Sequence, residues 1–193
     1  MRKMRIGAFM VAVLALAGPA AAQGAPRKEP ANASNMFNVF CLSHLPDLDG
    51  IATAAGFGEF AEMVGAELET YHPPVRADAL RGWKFHDATD EYVLISSKSK
   101  PDDVFKKAVP AFAKSTNYGC SLLVPAKQQS NAELLAALSK LLGRAPDEEW
   151  EEGAMHVYSW SGQTDKLLSN VYFYAPPAGA PTAVLSANAF VKD

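Results

Sequence analysis

The chain contains only two cysteines, Cys41 and Cys120, and this pair constrains the fold more than any other feature of the sequence. Two cysteines allow a single intramolecular disulfide, which would close a loop of about 80 residues. Both have apolar neighbours, in FNVFCLSHL and in GCSLLVP, as expected of buried positions. A structural disulfide is therefore predicted, provided that the chain reaches an oxidising compartment.

The alternatives for the two cysteines are free thiols or a functional role. A reactive thiol is expected in an electropositive, partly exposed setting, which the apolar neighbours do not offer. A zinc site needs about four closely spaced ligands, and the sequence has no C-x-x-C motif. The structural disulfide is therefore the favoured interpretation.

The N-terminal sequence predicts the cellular compartment of the protein. MRKMR is basic, the apolar run IGAFMVAVLALAG follows, and Ala20 and Ala22 form an A-x-A site. This pattern is typical of a secretory signal peptide, residues 1–22, cleaved after Ala22. The alternative is a retained membrane anchor, but the apolar run is shorter than the roughly 20 residues that a spanning helix needs. A periplasmic or secreted protein is predicted.

Charge excludes two classes of partner. The whole chain has 18 Lys+Arg and 21 Asp+Glu, and cleavage would remove three basic residues and no acidic ones. The mature chain then has 15 basic and 21 acidic residues, a net charge near −6. Nucleic-acid binding needs a basic surface, and so does electrostatic docking on anionic lipid. Neither partner is expected, nor is any membrane span in the mature chain.

The remaining sequence predicts a disordered lead-in, residues 23–34, and a single α+β domain, residues 35–193. Helical spacing occurs at 35–45 and 48–58, and a helix beginning at Pro101 should bend near Ala108, before Pro110. Ser130 and Glu133 form a capping box ahead of a leucine-rich helix that ends at Gly143. No internal repeat is visible.

Alternating patterns predict strands at 81–87, 90–97, around Cys120, 154–161, 167–175 and 182–192. Because neighbouring segments are joined by short turns, they favour antiparallel pairing. The economical assembly is an antiparallel sheet of about six strands with helices packed on one face.

Two polar clusters are candidates for chemistry. His86, Asp87, Asp90 and Glu91 lie at a predicted hairpin, and DEEWEE, residues 147–152, contains five acids. Either could serve a hydrolase or hold a metal ion, yet a polar turn and a solvated acidic loop have the same composition. The sequence contains no G-x-S-x-G, H-E-x-x-H or phosphate-binding glycine loop. No catalytic residue, metal or cofactor is assigned.

A set of aromatic residues in strand-like segments is the remaining candidate site. If they share a sheet face free of helices, they form a ligand or partner surface. The alternative is that helices or the loop 65–80 cover them and make a second core. The candidate residues are Trp83, Phe85, Tyr158, Trp160, Tyr172 and Tyr174.

These observations favour an exported, non-enzymatic domain that binds a protein partner or an apolar small molecule through the aromatic sheet face. The alternative is an envelope hydrolase or metal-dependent enzyme that uses His86 and the clustered carboxylates. A structural envelope protein with no pocket is a third hypothesis.

Overall fold

The computed structural model describes residues 32–71, 76–87, 90–126 and 129–192. The predicted signal peptide and residues 23–31 of the predicted lead-in lie outside these ranges. The first helix, α1, begins at Ala33, and the side chain of Asn32 caps it by accepting a hydrogen bond from the Asn35 N–H at 3.1 Å. Helix α1 therefore starts within the last positions of the predicted lead-in.

The described residues form eight strands in one antiparallel sheet, in the order β1-β2-β3-β4-β8-β7-β6-β5. The strands are β1 (Ala61–Glu62), β2 (Ala79–His86), β3 (Glu91–Ser99), β4 (Thr116–Pro125), β5 (Glu148–Glu152), β6 (Met155–Gln163), β7 (Leu167–Ala175) and β8 (Thr182–Val191). The α+β class is confirmed, but the predicted number of strands is wrong. The two missed strands are the sheet edges: β1 has only two residues, and all five residues of β5 are exposed. Neither shows the alternation that reveals a half-buried strand.

Among the described residues, four of the five α-helices begin at a residue whose side chain accepts a hydrogen bond from a backbone N–H of the first turn. They are α1 (Ala33–Phe37) with a π-helical turn (Asn38–Leu42), α2 (Leu48–Phe57), α3 (Ala66–Glu69), α4 (Asp103–Ala108) with a 3₁₀ turn (Pro110–Phe112), and α5 (Asn131–Leu142). The predicted capping box of Ser130 and Glu133 is present, with Gly143 in the left-handed conformation that ends α5. The predicted interruption before Pro110 is also present. None of the helices in the described ranges is long and apolar enough to cross a membrane.

The main core lies on one face of the sheet. Alternate residues of a strand point to opposite faces, and on β4 the residues Cys120, Leu122 and Val124 belong to the same buried cluster as Phe37 of α1 and Leu138 of α5. This is called the helix-covered face below. The other side of the sheet, which carries the residues between these on β4, is called the opposite face.

The expectation that helices pack on one face only is wrong, because two short segments cover the ends of the opposite face. Leu68 of α3 packs, together with Met63 and Tyr71, on Val93 and Ile95 of β3. At the other end, Phe105 of α4 and Phe112 of the 3₁₀ turn pack on Leu168 and Phe190. The phenyl rings of Phe105 and Phe190 stack with their centroids 4.0 Å apart. Each of these connections is short, so its apolar residues do not indicate which face of the sheet it covers.

The predicted disulfide is confirmed. Cys41 lies in the π-helical turn after α1 and Cys120 lies in the middle of β4, with their Cα atoms 5.4 Å apart. Both residues are fully buried. The bridge joins positions 79 residues apart and fixes the first helical segment on the centre of the sheet.

The sheet has a two-fold arrangement that the sequence does not reveal. In each half the strands follow chain order from the edge of the sheet to its centre, β1 to β4 in one half and β5 to β8 in the other. The halves meet at the antiparallel β4–β8 pair, where Ser121 faces Ser186. Continuing the register outward from this pair, Ile95 corresponds to Tyr172. One strand further, Trp83 corresponds to Trp160. The two buried tryptophans therefore occupy equivalent positions in the two halves.

One buried hydroxyl in the core lacks a partner among the described residues. Ser96 is 1% exposed, lies opposite Cys120 in the β3–β4 register, and its Oγ makes no hydrogen bond there. Because a buried polar group without a partner is unfavourable, Ser96→Ala is expected to raise the free energy of unfolding by about 1 kcal/mol. Urea denaturation measures the change.

The control for this prediction is Ser121→Ala. It removes a hydroxyl that lies 2.9 Å from the Ser186 Oγ, so it should lower the free energy of unfolding by about 0.5–1.5 kcal/mol. If Ser96→Ala were as destabilising as Ser121→Ala, the Ser96 hydroxyl would have a partner.

Candidate functional site

The predicted aromatic set is divided between the two faces of the sheet. The cross-strand pairs place Trp83, Phe85, Tyr158 and Trp160 on the helix-covered face and Tyr172 and Tyr174 on the opposite face. Trp83 is 3% exposed and Trp160 is 2% exposed. The six residues therefore do not meet the condition of sharing one face, because the β6–β7 register sets Tyr172 opposite Ser159 rather than opposite an aromatic residue.

The four aromatic residues on the helix-covered face belong to the core. Phe85 stacks on Phe60 with the ring centroids 5.2 Å apart. Tyr158 stacks on Phe173 at 5.8 Å. Trp160 donates a hydrogen bond from Nε1 to the carbonyl oxygen of Arg144 at 3.2 Å. These contacts are packing contacts, as the alternative of a covered face anticipated.

Tyr172 and Tyr174 form a separate group with Trp150 of β5, called the aromatic patch below. Tyr172 and Tyr174 are half-buried, and neither belongs to any of the three buried clusters. Their ring centroids lie 6.0 Å apart, and Trp150 meets Tyr172 edge-on at 6.3 Å. Trp150 is 37% exposed. Trp150 is not among the residues predicted for the site, because residues 147–152 have the composition of a solvated acidic loop.

Two carboxylates flank the aromatic patch. Glu148 and Glu152 alternate with Trp150 along β5 in steps of two, so all three point to the opposite face. Burial raises the pKa of Tyr174 to about 12, with Glu152 adding to the effect. Burial also raises the pKa of Tyr172, with a contribution from Glu148. Both phenols therefore stay protonated at neutral pH, beside negative charge.

The hairpin cluster of the enzyme hypothesis is a set of turn and surface contacts. The Asp90 N–H donates a hydrogen bond to Asp87 Oδ1 at 2.9 Å, and His86 Nε2 lies 3.2 Å from Glu91 Oε2. The pKa of the buried Tyr92 is raised, first by burial and then by Asp87. The His86 side chain is 67% exposed. In the described ranges, no group of three or more His, Cys, Asp or Glu side chains is placed to hold a metal ion.

The acids at 147–152 are also dispersed. Asp147 pairs with Arg144 and accepts a hydrogen bond from the Ser161 N–H at 2.6 Å. Glu149 and Glu151 point to the helix-covered side of β5, away from Glu148 and Glu152. Alternation along β5 therefore separates its four glutamates into two pairs, Glu149 with Glu151 and Glu148 with Glu152.

His156 lies between Glu149 and Glu151. Its Nδ1 is 2.6 Å from Glu151 Oε1 and its Nε2 is 3.5 Å from Glu149 Oε2. The hydrogen bond with Glu151, and to a lesser degree Glu149, raises the pKa of His156. The charged ring therefore contributes stability that is fully present below the unfolded-state pKa of about 6.5 and is lost as the pH rises through the higher folded-state pKa.

Glu151→Gln is expected to lower the pKa of His156, because it removes the negative charge of the strongest partner. A pH titration of the His156 ring by NMR measures the shift. Glu148→Gln, which changes the same charge on the other face of β5, is the control and should leave the titration unchanged. Equal shifts in both variants would contradict the assigned faces.

Comparison of the chain with models of protein families, with curated proteins and with solved structures found no match in any of the three.

Proposed function

We propose that this protein is an exported, non-enzymatic domain that docks a protein partner on the aromatic patch. The observation that carries the proposal is the grouping of Trp150, Tyr172 and Tyr174 on a part of the opposite face that none of the buried clusters includes. Tyr and Trp are the side chains that most often anchor protein interfaces, because they bring large contact area with few rotatable bonds.

The two-fold arrangement of the sheet supports this choice of surface. Ile95, the counterpart of Tyr172, is covered by the segment that carries Met63 and Leu68 between β1 and β2. The corresponding connection in the second half, between β5 and β6, is only Gly153 and Ala154. The second half therefore lacks the covering segment of the first, and its aromatic residues are available to a partner.

Export is supported by the disulfide together with the N-terminal pattern. Disulfides persist in oxidising compartments and are rare in the cytosol. Mass spectrometry of the mature protein should find Gln23 as its first residue and a mass lower by about two daltons than that of the reduced chain. A full-length chain beginning at Met1 would contradict cleavage after Ala22.

No observation favours the hydrolase or metal-enzyme alternative. The hairpin groups and Asp147 are engaged in turns and ion pairs on separate parts of the surface. The four glutamates of β5 are divided between the two faces of the strand. An apolar small molecule is less well matched than a protein, because two carboxylates flank the exposed rings.

Site-specific photo-crosslinking in the producing cells tests the proposal. A photoreactive phenylalanine analogue replaces Tyr172, Tyr174 or, as the control, Tyr118. Tyr118 is also a half-buried tyrosine of the sheet, but it lies on the helix-covered face. The expected result is one shared adduct from positions 172 and 174, weakened by Trp150→Ala and absent from position 118. The same adducts from all three positions, or none from 172 and 174, would overturn the proposal.

A further inference from the structure

We infer that the aromatic patch recognises a cationic side chain of the partner, arginine or lysine, held against the rings between the carboxylates of Glu148 and Glu152. This inference rests on the proposed function and adds the chemistry of the partner. Aromatic ring faces attract cations, by about 0.5–2 kcal/mol depending on exposure. Nearby carboxylates strengthen the same preference.

The register places four of the five groups in two adjacent rows, and Glu152 follows two residues after Trp150 along β5. Glu148 pairs with Ser159, which pairs with Tyr172 on the next strand. In the adjacent row, Trp150 pairs with Val157, which pairs with Tyr174. All of these residues point to the opposite face. A side chain lying over the patch therefore contacts rings from β5 and β7 and has a carboxylate at the edge of the sheet beside it.

The carboxylates of the patch have no cation of their own in the described part of the chain. Glu149 and Glu151 pair with His156 on the other side of β5, whereas Glu148 and Glu152 form no ion pair there. Two uncompensated negative charges, one on each side of the exposed Trp150, favour a positively charged partner. The net negative charge predicted for the mature chain acts in the same direction.

The rings of the aromatic patch also differ from several other rings of the protein in having no cation from the described residues beside them. Several aromatic side chains already carry a cation from the chain itself: Arg81 lies 5.2 Å from the Trp83 ring centroid, Lys98 lies 5.7 Å from that of Tyr118, and Lys192 lies 4.4 Å from that of Phe112. Among the described residues, none places a cation over Trp150, Tyr172 or Tyr174. A cation for this patch therefore has to come from outside the described chain.

Binding of a defined peptide tests the inference. The probe is a short peptide of alternating glycine and arginine, capped at both ends, titrated into the mature protein by calorimetry at low ionic strength. Its counterpart with glutamine in place of arginine reports uncharged contacts. Trp150→Ala is expected to weaken binding of the arginine peptide about fivefold. The double variant Glu148→Gln with Glu152→Gln should weaken it by a similar factor or more.

The matched control is Glu149→Gln with Glu151→Gln, which removes the same charge from the other face of the same strand. It should change the affinity by less than about twofold. Equal weakening by the two double variants would mean attraction to net charge alone and would overturn the inference. Equal binding of the glutamine peptide would also overturn it. Thermal melting of each variant confirms that the sheet remains folded.

The two proposals fail separately. If the arginine peptide does not bind while the crosslinks at positions 172 and 174 persist, the partner docks without a cation, and only this inference falls. If the arginine peptide binds through Trp150 but the crosslinks are absent, the patch binds cations and the proposal of a protein partner falls.

Discussion

Replacing both cysteines, in the variant Cys41→Ala with Cys120→Ala, is expected to lower the free energy of unfolding by about 2–5 kcal/mol. The bridge spans 79 residues, so removing it gives the unfolded chain much greater conformational freedom. The loss of stability should also be greatest near α1. Helix α1 has only five residues, too few to be stable in isolation, and the bridge holds it on β4. Urea denaturation measures the global effect, and amide hydrogen exchange compares α1 with α5.

The control is reduction of the wild-type disulfide with a thiol reagent, which leaves both side chains in place. It should destabilise the protein by a similar amount and speed exchange in α1 more than in α5. A change below about 1 kcal/mol in both experiments would mean that the bridge adds little to the packing of the first helical segment.

Trp160→Ala is expected to lower the free energy of unfolding by about 3–5 kcal/mol. The indole is 2% exposed in the main core, so its removal leaves a large cavity. The Arg144 carbonyl also loses the hydrogen bond that it accepts from Nε1. Because Trp83 occupies the equivalent position in the first half and is equally buried, Trp83→Ala should have a comparable effect. Chemical denaturation followed by circular dichroism measures both.

Trp150→Ala provides the control with the same change of residue. Trp150 lies on the edge strand and is 37% exposed, so its loss should cost less than about 1 kcal/mol. A cost for Trp150→Ala as large as that for Trp160→Ala would contradict the assignment of the two residues to different faces and different burial.

Much of the fold could be predicted because its signals are local. The capping box at Ser130 and the interruption before Pro110 both depend on residues within a few positions of one another. The buried strands also showed a recognisable alternating pattern, since one half of their side chains faces the core. Strand β5 did not, because an edge strand exposed along its whole length has no reason to alternate.

The candidate site was harder to predict because its faces depend on pairing between distant segments. Tyr158 and Trp160 share one face of β6, and Tyr172 and Tyr174 share one face of β7, as their spacing predicted. Whether the two pairs fall on the same side is decided by the length of the turn between the strands, since a shift of one residue exchanges the faces. The third ring, Trp150, could not be placed before β5 was known to be a strand.

The charges of β5 also affect the self-association of the protein. An open strand edge is a template on which another chain can continue the sheet, and repeated addition of this kind builds fibres. A second β5 laid along the first would bring glutamates close together at a spacing of about 4.8 Å between strands. The four glutamates of β5 therefore oppose self-association at this edge, and they include Glu148 and Glu152, the two residues that favour a basic partner.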